Sequence, residues 1–318
     1  MTRLLALWFA LATGCTPAEP AVDSDTDAAV DSDPQEDTDL STEPVWVNFE
    51  LATSAALYAV WAGPSTVWAY GSAGEAWKVA GQTQSKVDTD LEQVHFAGVY
   101  GRMVNEDPEI TIVGDSGMVV RYVDGEFSSS DIGTANFLDV DAADGGERLT
   151  AVGWGGMYRW VDDAWVFVDL PGLVRLSAVR MGASVDFAVG DDGAILKSIG
   201  GAWSKETTEV TANLHAVEGV ADNDVWAVGD RGTILHYDGL VWTSIASGTE
   251  LTLWGVWVAP NGTVFAVGNN GMALKGGIDG FTRIYTGTDA NLYAVAGRSA
   301  TDVWAAGNRG TLIRYTGG

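Results

Sequence analysis

The fold is decided by a stretch that reads Val225-Trp226-Ala227-Val228-Gly229-Asp230-Arg231-Gly232-Thr233-Ile234-Leu235-His236-Tyr237. Two runs of β-branched, aromatic and aliphatic residues, which favour strands, flank a turn of the form Gly-x-x-Gly. The turn recurs seven times, and its last four copies lie 39 residues apart. The copies begin at Gly71, Gly114, Gly153, Gly190, Gly229, Gly268 and Gly307. A period of this length made of short strands predicts a β-propeller.

Each repeat has room for four strands. In the fifth repeat, residues 214–217 form the predicted inner strand, and residues 225–228, 233–237 and 241–245 form the other three. The inner strand carries a valine that recurs at steps of 38 to 41 residues, at Val60, Val99, Val140, Val179, Val217, Val256 and Val295. This nearly constant step predicts blades of equal size. The one insertion, at residues 102–109, predicts a longer loop after the second inner strand.

The two ends of the chain are predicted to meet in one blade. The seventh repeat stops at residues 315–318, after its third strand, and a spare strand precedes the first repeat at residues 45–49. Trp46 in that strand lies 14 residues before Val60, which is the spacing of the outer-strand tryptophans in later repeats. Closure of this kind removes unpaired sheet edges. We therefore predict an all-β, seven-bladed β-propeller with four-stranded blades, whose ring is closed by the N-terminal strand.

The first 44 residues have the features of an export signal and a tether. A short apolar run follows Arg3 and is too brief to span a bilayer, so residues 1–14 are predicted to be a signal peptide. The run ends at Ala12-Thr13-Gly14-Cys15, which resembles a bacterial lipobox and predicts lipid attachment at Cys15. Ordinary signal-peptidase cleavage after Gly14 is the alternative.

Residues 15–44 are predicted to form the lipidated cysteine and an acidic, disordered tether. Positions 16–44 hold ten acidic residues, no basic ones and no aromatic ones, so they cannot bury enough apolar surface to fold. A cation-binding tail is the alternative, although the glycine turn and the bidentate glutamate of an EF-hand loop are missing. Residues 45–318 then make up the propeller.

Charge restricts the partners. The chain carries a net charge of −26, and after removal of the ten tether acids and Arg3 the propeller is still near −17. Such a surface repels nucleic acid and anionic lipid headgroups, so membrane contact is expected through the lipid anchor alone. Thr16, rather than an aspartate, follows the cysteine, which by resemblance to the enterobacterial sorting pattern predicts an outer-membrane lipoprotein on the periplasmic side or the cell surface. We expect a monomer.

The Gly-x-x-Gly turns are the predicted ligand face. They lie on the side of the ring where the chain enters each inner strand. The candidate residues are Asp115, Asp191, Asp230, Arg231, Asn269, Asn308, Arg309 and Trp154. Asp and Asn also cap turns and tolerate left-handed conformations, which is the simpler explanation of their presence. Trp154 is not explained by turn chemistry, so an exposed platform for a sugar or a peptide is a second interpretation.

No catalytic or metal-binding pattern stands out. The three histidines, His95, His215 and His236, are not at metal-ligand spacing, and no nucleotide-binding or nucleophile motif is present. We therefore expect no cofactor and no metal, with calcium as a less favoured alternative. Turns on neighbouring blades are too far apart to share one calcium ion without help from other loops.

The stretch from Val225 to Trp242 resembles bacterial propeller repeats of the BNR/Asp-box type, which sialidases, photosystem assembly factors and surface lipoproteins share. The resemblance covers residues 45–318. Asp238-Gly239 followed by Trp242 keeps the aspartate, glycine and tryptophan of the box but lacks its leading serine. The resemblance implies a propeller. The catalytic set of sialidases cannot be placed on this sequence.

These observations predict a lipid-anchored propeller of the cell envelope that acts as a non-catalytic binding scaffold for a protein or a glycan. The first alternative is a glycan-active hydrolase or lyase that uses carboxylates in the central funnel, where paired acids would be needed. The second is an envelope assembly factor, by analogy with the photosystem helpers.

Overall fold

The computed structural model describes residues 46–133, 135–172 and 175–317. The predicted signal peptide, Cys15 and the acidic tether lie outside these residues. Within them, the strands form seven antiparallel sheets of four strands each. The helical elements of the described residues are single 3₁₀ turns, and none of them is long or apolar enough to cross a membrane.

Each blade is one consecutive set of four strands, except the last. The strands of blades 1 to 3, preceded by the N-terminal strand, are β1 (Trp46–Asn48), β2 (Leu57–Ala62), β3 (Thr66–Gly71), β4 (Ala76–Ala80), β5 (Thr83–Lys86), β6 (Phe96–Val104), β7 (Asp107–Gly114), β8 (Met118–Val123), β9 (Glu126–Asp131), β10 (Phe137–Ala143), β11 (Arg148–Gly153), β12 (Gly156–Val161) and β13 (Ala164–Val168). Those of blades 4 to 7 are β14 (Leu176–Arg180), β15 (Val185–Gly190), β16 (Ile195–Ile199), β17 (Ala202–Lys205), β18 (Leu214–Ala221), β19 (Asp224–Gly229), β20 (Ile234–Tyr237), β21 (Trp242–Ser244), β22 (Leu253–Val258), β23 (Val264–Gly268), β24 (Ala273–Gly277), β25 (Gly280–Arg283), β26 (Leu292–Ser299), β27 (Asp302–Gly307) and β28 (Leu312–Tyr315).

The N-terminal strand completes the last blade, as the sequence predicts. The sheet order of blade 7 is β1-β28-β27-β26, and Trp46 of β1 lies opposite Tyr315 of β28. The Trp46 side chain is 3% exposed, and its ring centroid is 5.5 Å from that of Tyr315. The inner strand β2 contacts both β6 and β26, so the ring is closed. The prediction of seven four-stranded blades is confirmed.

The insertion at residues 102–109 differs from the prediction. It does not form a loop, because β6 and β7 continue as a longer hairpin in which Arg102 lies opposite Glu109. The two side chains form an ion pair with an N–O distance of 2.6 Å. Asn105 and Glu106 both have positive φ, which matches the twist of the strands that a two-residue turn must join.

The seams between blades repeat one arrangement. The third strand of every blade carries a basic residue at the same position, namely Lys78, Arg121, Arg159, Lys197, His236, Lys275 and Arg314. The second-strand residue directly opposite is aromatic in five blades, as with Lys78 and Trp68. In three seams the next blade adds a ring beside the cation, namely Trp160, Tyr237 and Tyr315, and in the first seam Tyr122 packs against the Trp68 ring at 5.1 Å. Contacts between cations and rings therefore help to join neighbouring blades at these seams.

The role of Trp46 in ring closure can be tested by substitution. Trp46→Ala removes a buried ring from the closing strand, so the free energy of unfolding is expected to fall by about 3–5 kcal/mol in chemical denaturation. Val47→Ala is the matched control, because the neighbouring Val47 side chain is 48% exposed and its loss costs little. Equal effects of the two substitutions would contradict a closing role for Trp46.

Candidate functional site

The face of the ring that carries the Gly-x-x-Gly turns is called the turn face below. The amide of the first residue after each leading glycine donates to the residue that precedes the inner strand, as Asp230 N does to Asn213 O at 3.0 Å. In five blades the last glycine of the turn also donates to the loop that enters the next blade, as Gly232 N does to Leu251 O at 3.0 Å. The turns therefore lie beside the start of every inner strand.

The predicted acids and amides of the turn face bond mainly to the entries of the inner strands. Asp115 Oδ1 accepts from His95 N at 3.1 Å, and Asn269 Oδ1 accepts from Trp254 Nε1 at 2.7 Å. Asn308 Oδ1 is buried, with no donor among the described residues. These residues are distributed one per blade around the ring rather than gathered in one pocket.

Asp230 has the most elaborate surroundings of this set. Its Oδ1 lies 2.7 Å from His215 Nε2 and accepts from Thr252 Oγ1 at 3.2 Å. Burial alone would raise the pKa of Asp230, but the hydrogen bonds from His215 and Thr252 outweigh it and lower the pKa. Asp230 is therefore held as an anion beside the imidazole.

The left-handed conformation belongs to the second residue of the turn rather than to the first. Arg231 and Arg309 have φ of 53° and 57°, and the second turn residues of four other blades also have positive φ. The left-handed conformation is therefore not confined to the Asp and Asn residues that the sequence analysis associates with it. Arg309 forms an ion pair with Asp289. The exposed Arg231 has no ion pair within the described part of the chain.

Trp154 belongs to a small cluster between blades 3 and 4. Its side chain is 39% exposed on the turn face, and the Arg175 guanidinium lies 3.9 Å from the ring centroid. Arg175 Nη1 is also 3.7 Å from Asp191 Oδ2. Arg175, which sequence reasoning missed, thus joins two predicted residues and covers one face of the indole.

Four aromatic side chains lie at the mouth of the ring on the turn face. They occupy the second position of the inner strands of four consecutive blades, and together they are called the aromatic arc: His215, Trp254, Tyr293 and Tyr58. Consecutive ring centroids are 4.2, 6.0 and 5.2 Å apart. All four side chains are half-buried. The corresponding positions of blades 2 to 4 hold Ala97, Leu138 and Ser177, so the arc covers one side of the mouth.

The aromatic arc explains two of the predicted turn residues. Asp230 binds the His215 imidazole, and Asn269 accepts from the Trp254 indole. Each contact fixes the orientation of a ring that a free side chain would sample in several rotamers. Asp230 and Asn269 are therefore positioning residues for the arc. The arc is visible in the sequence only when the seven inner strands are aligned at their second residue.

An acidic cluster lies further along the inner strands, and it consists of Asp139, Asp141 and Glu218. The position of Asp139 holds only Ala or Gly in the other six blades, because that side chain points at the neighbouring inner strand. Asp139 Oδ2 accepts from Val179 N at 2.9 Å, and Asp141 Oδ2 accepts from Met181 N at 2.6 Å. Both carboxylates thus accept from backbone amides at the inner edge of blade 4, where no neighbouring strand pairs with them.

The acidic cluster titrates near neutral pH. Burial raises the pKa of Asp139 to about 7, and the amides of Val179 and Val140 only partly offset it. Burial raises the pKa of Asp141 to about 6, and it raises that of Glu218 to about 7 with a further contribution from the charge of Asp141. At pH 7 the three carboxyl groups therefore hold about one proton between them, a property that the sequence did not reveal.

The cluster has limited chemical options. Both oxygens of Asp139 already accept backbone N–H groups, the second from Val140 at 2.9 Å. Glu218 Oε1 accepts from Gly219 N at 3.0 Å. Among the residues that the structure describes, no group of three or more His, Cys, Asp or Glu has the arrangement of a metal site. Proton uptake and attraction of positive charge are the properties that remain.

The raised pKa values predict a pH-dependent stability. An acid whose pKa is raised by folding binds its proton more tightly in the folded chain, so its stabilising effect is present below pH 4 and is lost as the pH rises toward 7. Asp139→Ala, which introduces the residue of four other blades, should shrink the fall in Tm between pH 5 and pH 8 by about 2–4 °C. Asp169→Ala, at an exposed acid, is the control. An unchanged pH profile would contradict the raised pKa.

Comparison with known proteins identifies the fold and no family. No family model matches the chain, and neither does any curated protein. The chain is similar to the solved structure of YCF48 bound to D1 peptide, with 18% identity and a TM-score of 0.70 over 88% of this chain and 99% of that one. It is also similar to streptogramin B lyase, with 11% identity and a TM-score of 0.76 over 85% and 96% of the two chains. The WD40 propeller domain of Doa1 matches with 14% identity and a TM-score of 0.68 over the same shares. At these identities the likeness shows the fold alone, and the chain is a seven-bladed β-propeller.

Proposed function

We propose that this propeller is a non-catalytic binding module that holds a positively charged segment of a partner protein at the mouth of the turn face. The observation that carries the proposal is the aromatic arc, which is oriented by Asp230 and Asn269. Rings fixed in this way offer contact area at a low cost in side-chain entropy, as binding sites require. The partly exposed Trp154 ring adds a second aromatic contact on the same face.

Charge favours a cationic polypeptide as the ligand. The propeller is near −17, and the acidic cluster of Asp139, Asp141 and Glu218 lies beyond the arc along the inner strands. Lys and Arg side chains stack on aromatic rings and are steered by an acidic surface. YCF48, a fold neighbour, was solved with a D1 peptide, so a propeller of this kind does accept peptides. A glycan remains the alternative ligand for the same rings.

We place the protein at the cell envelope. The proposal rests on the apolar run before Cys15, the lipobox-like residues around it and the acidic stretch that follows. With the lipid as the only membrane contact, the tether would hold the propeller away from an acidic bilayer that repels it. This location, on the periplasmic side of the outer membrane or on the cell surface, gives access to exported partner proteins.

The second candidate is a glycan-active hydrolase or lyase, and the acidic cluster is the observation that favours it. Carboxyl groups with pKa values of about 6 to 7 suit general acid catalysis near neutral pH. The engagement of both Asp139 oxygens with backbone amides counts against this candidate, because a general acid must present its proton to a substrate. Binding without turnover is therefore the preferred function.

The binding proposal is tested by selection from a random peptide library on the purified chain. Enriched peptides are expected to carry Lys or Arg, and their Kd should rise at least about tenfold in Trp254→Ala and in Tyr293→Ala, since each removes a ring of the arc. Leu240→Ala is the control, because that exposed leucine lies on the opposite face.

Three results would reject the binding proposal. The first is the absence of enriched peptides, and the second is enriched peptides whose Kd is unchanged in both Trp254→Ala and Tyr293→Ala. The third is steady turnover of a glycan that disappears in Asp141→Ala. The last result would establish the enzymatic alternative.

Lipidation has its own test. In bacterial cells that express the full chain and are grown with a radiolabelled fatty acid, the chain is expected to carry the label and to sediment with membranes. Cys15→Ser should abolish both, because the thiol is the attachment point. Label that persists in Cys15→Ser, or an unlabelled soluble wild-type chain, would contradict the anchor.

A further inference from the structure

A cavity of about 590 Å³ opens between blades 5 and 6 on the face opposite the turns. It is called the seam slot below. Its lining combines carboxylates, glycine backbone and two rings, and consists of Asn223, Asp224, Trp226, His236, Asp238, Gly262, Gly276, Gly277, Ile278, Asp279 and Gly280. Its volume is within the range of small-ligand sites. It is separate from the aromatic arc, so nothing about it depends on the function proposed above.

The slot exists because a ring is missing. In the next seam around the ring, Tyr315 stands beside Lys275 and accepts from its Nζ at 3.0 Å. In the seam between blades 5 and 6, the position of that tyrosine is Gly276, so His236 packs against Trp226 of its own blade at 4.3 Å but has no counterpart of that tyrosine beside it. A Cβ on Gly276 would lie 2.2 Å from Gly280 O, which means that the tight hairpin of β24 and β25 excludes any side chain. The backbone geometry of this hairpin therefore requires that no side chain fills the space beside His236.

The floor of the slot is a carboxylate with one oxygen unused. Asp224 Oδ1 accepts from Trp226 Nε1 and lies within hydrogen-bonding distance of His236 Nε2, both at 2.9 Å. No described residue donates to Asp224 Oδ2, and the side chain is 34% exposed. The exposed acids Asp238 and Asp279 stand at the rim. The slot thus holds three carboxylates against one imidazole.

Blade 7 contains the same arrangement with the missing group present. Asp302 Oδ1 accepts from Trp304 Nε1 at 3.1 Å and from Arg314 Nε at 2.8 Å, as Asp224 does from the corresponding residues of blade 5. Its Oδ2 accepts from Arg298 Nη1 at 2.8 Å, and Arg298 Nε also donates to Gly63 O of the next blade. A guanidinium therefore bridges the carboxylate and the neighbouring blade.

Blade 5 lacks this guanidinium because the residue that corresponds to Arg298 is Val220. Both residues lie four positions before the carboxylate, in equivalent inner strands that pair in the same register. Val220 is 47% exposed, and its side chain has no hydrogen-bonding group. Blade 5 therefore has Asp224 and Trp226, which correspond to the aspartate and the tryptophan of blade 7, but no cation at position 220. The slot stays open where that guanidinium would lie.

We propose that the seam slot binds the guanidinium of an arginine that a partner polypeptide presents. The planar group donates to Asp224 Oδ2 in the way that Arg298 donates to Asp302, with the carboxylates of Asp238 and Asp279 adding attraction at the rim. A planar cation also suits the space beside the His236 ring, where other seams place a tyrosine. A lysine ammonium lacks both the flat shape and the forked donors.

The chain offers a direct reporter, because it has only three histidines. In the full chain labelled with ¹⁵N-histidine, titration with a blocked Gly-Arg-Gly peptide is expected to shift the His236 ring resonances in a saturable manner, while those of His95 stay in place. His215 belongs to the aromatic arc, so its shifts report binding there and are fitted separately. A blocked Gly-Lys-Gly peptide should bind at least about fivefold more weakly, in line with its lost bidentate geometry. Assignment follows from His236→Gln.

Two variants separate the slot from the general acidity of the surface. Val220→Arg supplies the guanidinium from within, as Arg298 does in blade 7, and should lower the affinity for the arginine peptide at least about tenfold. Asp279→Asn should raise its Kd about threefold to fivefold, as expected for an exposed charge pair. Asp169→Asn, an exposed acid of blade 3, is the control and should leave the Kd unchanged.

The proposal is overturned if no saturable shift of His236 occurs, or if arginine and lysine peptides shift all three histidines alike. It is also overturned if a blocked Gly-Tyr-Gly peptide binds and the arginine peptide does not, since the slot would then accept a neutral ring. If Val220→Arg fails to fold, the comparison of Asp279→Asn with Asp169→Asn decides the outcome alone.

Discussion

Every blade of this ring approaches its own inner strand so closely at the turn that a single methyl group does not fit. A Cβ on Gly229 would lie 2.0 Å from Asn213 O, and the leading glycines of the other six turns meet equivalent carbonyl oxygens at 1.9 to 2.2 Å. The close approach lets the next residue donate its amide to that carbonyl. The last glycine, with φ of 65° at Gly232, turns the chain so that its own amide reaches the next blade. Two glycines thus fix both the geometry of a blade and its spacing from the next one.

This constraint explains why the fold was predictable and much of the candidate site was not. The glycine pair recurs with the period of the blade, and the Trp46 strand has the spacing of the outer strands, so the architecture and its closure follow from short patterns. The acidic cluster depends instead on contacts between inner strands, such as those of Asp139 with Val179 and of Asp141 with Met181, each 40 residues apart in sequence. An alignment of the seven inner strands would show that Asp139 stands at a position where the other six blades have Ala or Gly, and this is the signal in the sequence that indicates the cluster.

The predicted ligand face illustrates the same limit. The sequence identified the turn residues that recur, but the side chains that form the mouth are those that the turn residues hold. Trp254 and His215 are reached from Asn269 and Asp230 through hydrogen bonds across 15 residues of sequence. The longer hairpin at residues 102–109 was misjudged as a loop because charged residues such as Arg102 and Glu109 are not typical of strands, whereas their ion pair stabilises the extension.

The seams also determine where the positive charge of the molecule resides. Six of the 17 Lys and Arg residues occupy the repeated third-strand position between blades, and five of them contact an aromatic ring there. These basic residues therefore stabilise the contacts between blades instead of lying on the outer surface. As a result, the outer surface is more acidic than the composition of the propeller suggests. A folded chain of this kind attracts cationic ligands over a distance set by the ionic strength.

The closing strand has a mechanical consequence. A pull on the chain ahead of residue 46 reaches the ring through β1, a strand of three residues paired with β28 and followed by the buried Phe49. Because β28 ends beside the start of β1, such a load peels one short outer strand and leaves the other 27 strands of the described residues paired. The ring would therefore open first where β1 pairs with β28. A detached β1 would expose the edge of β28 and leave the remaining six blades folded.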